Sequence, residues 1–375
     1  MRILHVYKDY HPVIGGIENH IRMLAREQAR RGHQVTVLVT SLTCRTEVGE
    51  MEGVRVVKAA RLAHVASTPL SLAFFIQMGR LPADVAHLHF PYPPGEVANL
   101  LFGKGRPTVI TYHSDVVRQK LILFFYRPLL MKALAYADRI IATSPYYIES
   151  SPFLRSFREK CVVIPLGVEI ERFARADEGE VEAIRRRYGA PLLLFVGKLR
   201  YYKGIPYLLE AMRTLERTSE LDARLVIVGS GPMEDAWRKM AREMGLEGRV
   251  FFTGQVEDEV LPAFYHACDL FVLPASHRSE AFGTVQVEAM AAGKPVVSTE
   301  VGTGTSWVNR HGETGLVVPA RDPHALAEAI KTLLEDETLR REMGARARQH
   351  ARQFSLGKMV DRVLRLYEEI LSAIG

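Results

Sequence analysis

Cysteine is scarce in this chain and nowhere grouped. Cys44, Cys161 and Cys268 stand far apart among 375 residues. An odd count without ligand spacing gives neither a disulfide framework nor a cysteine metal cluster, so a reducing cytoplasm is the expected compartment. No stretch reaches the roughly 20 consecutive apolar residues of a membrane span. No secretory leader is read at the N-terminus, because Lys8 and Asp9 end the apolar run Ile3–Tyr7 too early for an h-region. Internal repeats and low-complexity tracts are missing. Basic residues are dispersed, with no basic-aromatic cluster or recognition helix, which argues against nucleic acid as a partner. No Asp-x-Asp pair occurs, and no residue stands out as a covalent nucleophile or general base.

What remains is an ordinary globular composition on a long chain. Hydrophobic residues make up 47% and charged ones 25%, and 375 residues exceed one usual core, so two domains are expected. The formal net charge of +6 fits either simple solubility or attraction to phosphate-bearing ligands and anionic membranes. Apolar runs alternate with helical patterns in two series. The first has strands at Ile3–Tyr7, Val35–Thr40, Val85–His89, Thr108–Tyr112, Arg139–Ala142 and Val162–Ile164, with helices at Ile17–Arg30 and Leu121–Tyr136. After Pro165-Leu166-Gly167-Val168 comes a polar passage to Tyr188. The second series then runs through Leu192–Val196, Leu225–Val228, Val250–Phe252, Leu270–Leu273 and Val296–Ser298. Such alternation predicts two α/β domains built on parallel sheets, 1–168 and 169–354. An amphipathic helix over 355–375 is expected to pack back on the first.

The segment Ser279–Glu288 carries the most chemistry. Glu280 falls in the loop after an apolar strand, and Glu288 falls on the helix that starts near Gly283. Helix-start N–H groups lack intrahelical partners and attract phosphate. A phosphate cradle with a carboxylate on either side suits a sugar nucleotide. Lys198 and Lys203 follow a strand end, where α/β folds bind ligands, and are placed to balance a departing diphosphate. His113 ends the strand Thr108–Tyr112 and faces either a ligand or plain structure. Gly15 and Gly16 make a tight turn or a close approach to phosphate, without the G-x-G-x-x-G spacing of a dinucleotide site.

These pieces together resemble the GT4 family of retaining glycosyltransferases. They occur in the family's order: Gly15-Gly16-Ile17-Glu18, Thr111-Tyr112-His113-Ser114-Asp115, Ile164–Val168, Gly197-Lys198 with Lys203-Gly204, Gly229-Ser230-Gly231-Pro232, and Glu280 with Glu288. The resemblance implies the α/β GT-B fold, two facing Rossmann-like domains with a deep cleft between them. It implies donor contacts at Gly15, Gly16, Lys198, Lys203, Gly229, Val256, Glu280, Ala281, Phe282, Gly283, Thr284 and Glu288. Glu280 would hold donor-sugar hydroxyls, Glu288 the ribose diol, and the backbone near Gln255-Val256 the base. His113, Lys203 and Glu280 would be the catalytic group, with Glu18 and Asp115 on the acceptor side. Lysine stands at 198 where the family usually has arginine, and Arg200 is a candidate substitute.

The implied reaction is hexosyl transfer with retention, without a cofactor and without a tightly held metal, by a cytoplasmic enzyme building polysaccharide or glycolipid. The segments His113–Lys120 and Arg278–Gly283 are similar to bacterial mannosyl- and rhamnosyl-type members, which favours GDP-mannose over a UDP-hexose. An epimerase, a phosphorylase and a non-catalytic sugar-nucleotide binder are the rivals. The stretch 118–139 reads as a core helix interrupted near Pro128. Its alternative is a basic-aromatic surface at the inner membrane face, with Arg118, Lys120 and Arg127, that meets a lipid-linked acceptor.

Overall fold

The computed structural model describes residues 1–13, 15–65, 68–103, 105–115 and 120–373. The chain forms two compact units, Met1–Gly167 with Leu356–Gly375, and Val168–Ser355.

In the first unit the strands are β1 (Arg2–Val6), β2 (Gln34–Thr40), β3 (Glu47–Met51), β4 (Val54–Ala59), β5 (Ala63–Val65), β6 (Thr68–Leu70), β7 (Val85–Phe90), β8 (Thr108–Tyr112), β9 (Arg139–Ala142) and β10 (Cys161–Val163). Eight of them form one sheet in the order β10-β9-β8-β7-β1-β2-β4-β3. Pairing is parallel except where β3 joins β4 antiparallel. The purely parallel expectation is thus corrected at this edge. Sequence missed β3 because Glu47-Val48-Gly49-Glu50 is exposed throughout and carries no apolar alternation. Strands β7 and β8 are buried along their whole length.

Three helices of this unit matter below: α1 (Gly16–Arg30), α2 (Leu72–Arg80) and α3 (Pro93–Phe102). A fourth, α4 (Lys120–Tyr136), runs unbroken through Pro128. This corrects the expected interruption. Pro128 lies on the exposed side, where water can serve the carbonyl that proline leaves without a donor. Helix α1 buries Ile21, Leu24, Ala25 and Gln28 and packs on β2 and on the helix Leu356–Ser372. That helix turns Met359, Val360, Val363 and Tyr367 inward.

The second unit holds β11 (Leu192–Val196), β12 (Arg224–Val228), β13 (Val250–Gly254), β14 (Leu270–Leu273), β15 (Val296–Glu300) and β16 (Gly315–Pro319). Their order is β13-β12-β11-β14-β15-β16, and every pair is parallel. Chain direction across the sheet reverses between β11 and β14. Loops leaving the carboxyl ends of such neighbours diverge and open a crevice where α/β folds take ligands. The corresponding reversal in the first unit lies between β1 and β7.

Candidate active site

Two loops leave the reversal point of the second unit, one after β11 and one after β14. The β11 loop carries Lys203 and the β14 loop carries Glu280. Lys203 Nζ lies 2.5 Å from a Glu280 carboxylate oxygen, and each side chain keeps about 10% of its surface exposed. Burial works against the Lys203 ammonium, yet Glu280, Tyr202 and Glu288 overcome it and hold the lysine pKa above its ordinary value. The ammonium therefore stays charged at neutral pH.

Glycine makes this approach possible. A Cβ on Gly197 would stand 3.4 Å from Lys203 Nζ, so the amine lies over bare backbone. Gly204 has φ +72°, and a Cβ there would sit 1.8 Å from the Pro274 carbonyl oxygen. No other residue fits at 204, which fixes the position of its neighbour Lys203. Gly229 presses on the Gly197 carbonyl in the same way, closing the floor between β11 and β12.

The Glu280 loop is pinned from behind. Thr303 Oγ1 donates to the Glu280 carbonyl at 2.6 Å, and the Gly304 N–H donates to the Ala281 carbonyl at 2.8 Å. Phe282 is buried against Trp307 and Phe354, so its side chain anchors the loop. Gly283, at φ +74°, caps the helix Thr284–Ala291. One turn into that helix, Glu288 accepts a 2.6 Å hydrogen bond from the Tyr265 hydroxyl. Burial raises the Glu288 pKa, and the Tyr265 bond opposes the rise.

Other expected residues fall elsewhere. Lys198 and Arg200 are exposed and make no pair with Glu280 among the described contacts. Val256 lines a concavity of about 570 Å³ beside β13, together with Tyr188, Arg238 and Phe251. That lining contains none of the other expected residues.

In the first unit, Gly15 is the N-cap of α1 in extended conformation and Gly16 is its first residue. A Cβ on Gly15 would meet a Glu18 carboxylate oxygen at 2.2 Å, so Glu18 folds back over its own helix start and is buried there. Asp115 accepts from the Tyr112 hydroxyl at 2.9 Å and from Ser151 Oγ at 2.8 Å, while its N–H donates to the Tyr147 hydroxyl. These bonds tie down the loop after β8. Val116–Gln119, part of the resemblance, lie outside the described residues.

His113 has company that sequence reading missed. His5 on β1 is in register with His87 on β7, and His89 with Thr111 on β8. Side chains two apart on a strand share a face, so His5, His87, His89, Thr111 and His113 all point to one side. Helix α1 covers that side with His20 and Gln28. His5 Nε2 donates to Gln28 Oε1 (2.7 Å), which leaves His5 Nδ1 to accept from His89 Nε2 (3.0 Å) and His89 Nδ1 to accept from His113 Nε2 (3.1 Å). His87 bonds Thr111 and Tyr367 instead. Burial pushes all five imidazoles down, His5 to about 4 and His20 to about 3, so they are neutral at pH 7. The signal was available: His87-Leu88-His89 alternates within an otherwise apolar strand.

Known proteins are similar to this chain along nearly its whole length. Residues 14–172 match Glycosyltransferase Family 4 and residues 178–350 match the family of glycosyl transferases group 1. The chain is 40% identical to the D-rhamnosyltransferase WbpZ of Pseudomonas aeruginosa, over 94% of this chain and 92% of that one. It is 37% identical to the O-antigen chain mannosyltransferase C of Escherichia coli, over the full length of both. Sucrose-phosphate synthase from Thermosynechococcus elongatus superposes with a TM-score of 0.82 at 23% identity, covering 99% of each chain. The chain belongs to the GT4 glycosyltransferases and has their GT-B fold of two Rossmann-like units.

Proposed function

We propose that the protein moves a hexose from a nucleoside-diphosphate sugar to a glycan or lipid-linked acceptor, with retention at the anomeric carbon. The buried Lys203–Glu280 pair carries this reading. A nucleoside diphosphate gains negative charge as its sugar bond breaks. A fixed, desolvated ammonium stabilises that charge more in the transition state than in the ground state, which is the condition for catalysis. Glu280, released from Lys203 as phosphate takes its place, accepts hydrogen bonds from sugar hydroxyls. Glu288, oriented by Tyr265, holds the ribose diol. The N–H groups of Gly283 and Thr284 take phosphate oxygen at the helix start.

No base is needed on the protein. The leaving phosphate oxygen takes the acceptor's proton on the face from which it departs, and the enzyme supplies position and charge. Lys203 serves where a divalent metal would otherwise bridge the diphosphate. The two relatives named for mannosyl and rhamnosyl transfer favour GDP-mannose as donor and a bacterial O-antigen-like chain as product. A cytoplasmic location suits a sugar-nucleotide donor.

A membrane-associated acceptor is favoured by a second observation. Phe124 and Phe125 on α4 are 73% and 79% exposed, and Leu101 on α3 and Leu72 on α2 are 66% and 68% exposed. Arg127 and Lys132 flank the phenylalanines on the exposed side of α4. Exposed adjacent phenylalanines with cations exposed on the same helix suit an anionic bilayer surface. Arg118, expected to contribute, lies outside the described residues.

The test is thermal unfolding with GDP, UDP, ADP and their sugars, with and without EDTA. A ligand bound only by the native state raises its stability. A GDP-selective, EDTA-insensitive shift that Glu288→Ala abolishes is expected. A UDP-selective shift replaces the donor, and no shift with any nucleotide overturns the reading. Product NMR decides retention, since a β-linked product from an α-linked donor refutes it.

A further inference from the structure

His20 has no partner for either ring nitrogen, though only 5% of its surface is exposed. A buried polar group without a partner is costly, and each such case calls for a ligand, a water or an ion. Its ring meets those of His89 and His113 edge-on, at centroid distances of 5.6 and 5.0 Å. One ligating nitrogen from each of these three histidines lies within 4.8 Å of the others.

We propose that His20, His89 and His113 form a binding site for a divalent transition-metal ion of the zinc type. Three neutral imidazoles are a ligand set suited to zinc, cobalt, nickel or copper, and unsuited to magnesium or calcium. Zinc–nitrogen bonds of about 2.0–2.1 Å put tetrahedral ligand atoms about 3.4 Å apart. His89 Nδ1 and His113 Nε2 already stand 3.1 Å apart. A small movement opens that edge, and His20 supplies the third ligand from α1. The fourth position is left for water.

The shell behind these ligands is in place. A metal-bound histidine is held by donating its other N–H to a fixed acceptor. His89 does so from Nε2 to His5 Nδ1, and His5 in turn donates from Nε2 to Gln28 Oε1. Binding moves the ring proton of His113 from Nε2 to Nδ1, with no net proton released.

A second histidine trio, His5, His87 and His89, also has its nitrogens within 4.8 Å. Its members are taken: His5 bonds Gln28 and His89, and His87 bonds Thr111 and Tyr367. A metal there would break several satisfied hydrogen bonds. At the first trio it breaks one and satisfies an orphan, so His20 decides between them. The site lies wholly within the first unit, whereas the buried pair that carries the donor reading, Lys203 and Glu280, lies in the second.

The test uses the full chain, carrying no histidine tag and stripped with chelator, titrated with Co2+ and then Zn2+. The expected result is one equivalent of cobalt with the intense visible absorption of four-coordinate nitrogen ligation, displaced by zinc. His20→Asn should weaken binding at least about a hundredfold, and Gln28→Leu about tenfold. His64→Ala, on the exposed strand β5, should leave it unchanged. A wild-type titration without the four-coordinate spectrum overturns the proposal, whether or not the His20 variant folds. So does a folded His20→Asn protein that binds cobalt as wild type does; a buried water at His20 gives the first of these results. Nucleotide-induced thermal shifts measured on the same samples report separately on the donor site.

Discussion

The Glu280 carboxylate touches the Lys203 ammonium at 2.5 Å in a place almost closed to water. Removing one member strands the other. Lys203→Met should cost about 3–5 kcal/mol of unfolding free energy, and Lys203→Met with Glu280→Leu should recover most of it. Denaturant unfolding checks both. The pair's contribution also has a pH signature. Because the folded pKa of Lys203 lies above its unfolded value of 10.5, the stabilisation is complete below pH 10.5 and disappears as pH rises through the folded value. In turnover, Lys203→Met should lower kcat by about 10²–10³ while leaving overall fold intact by circular dichroism.

Tyr265 and Glu288 divide the proposed ribose contact between a grip and its support. Glu288→Ala should weaken nucleoside-diphosphate binding by about 10–100-fold, the worth of a charged hydrogen bond. Tyr265→Phe should cost less, because the carboxylate survives and loses only orientation. Calorimetric titration separates the two, and equal losses would contradict this division.

Glu96 gives a stability test at ordinary pH. Burial lifts its pKa to about 8, against an opposing bond from the Tyr92 N–H. The Tyr126 hydroxyl also donates to it. Both folded and unfolded chains are protonated below about pH 4.5, so stability is then undiminished. Between 4.5 and 8 only the unfolded chain ionises, and stability falls throughout that window until the loss is complete above pH 8. Glu96→Gln removes the titration. It should be neutral near pH 4 and more stable than wild type by several kcal/mol at pH 9, as read by denaturant unfolding.

Phe124 and Phe125 offer a direct measurement of membrane contact. Replacing each by serine should reduce binding to phosphatidylglycerol-containing vesicles about tenfold per residue. Raising salt should weaken binding further, through Arg127 and Lys132. Unchanged flotation of the double variant would remove the membrane reading and leave the soluble activity untouched.

Much of this was written in local sequence. The strands β8, β9, β11 and β14 coincide with their expected ranges because buried parallel strands are short apolar runs between turn signals. Lys203 and Glu280 were both named, and the fold brings them together, because each follows a strand end at one reversal point. The histidine group as a whole was not legible, for the opposite reason, although the His87–His89 alternation marked one strand of it. His5, His20, His89 and His113 come from four elements, and only strand register and the placement of α1 make them neighbours. Asp115 illustrates the same limit. Its bond to Tyr112 is local, but those to Tyr147 and Ser151 depend on how the loop after β8 meets the helix Pro145–Ser150, which follows β9. Pro128 misled because proline is read as a breaker, while an exposed helix side tolerates it.

The hydroxyl that serves His87 belongs to Tyr367, on a helix encoded after the entire second unit. Synthesis on a ribosome therefore delivers the parts out of spatial order. Val168–Ser355 is continuous and can complete its sheet as it emerges. The first unit, although translated earlier, must wait with an uncovered hydrophobic face until Met359, Val360, Val363 and Tyr367 arrive. During that interval it is the natural client for a chaperone, and truncations that remove the helix should be found in the insoluble fraction.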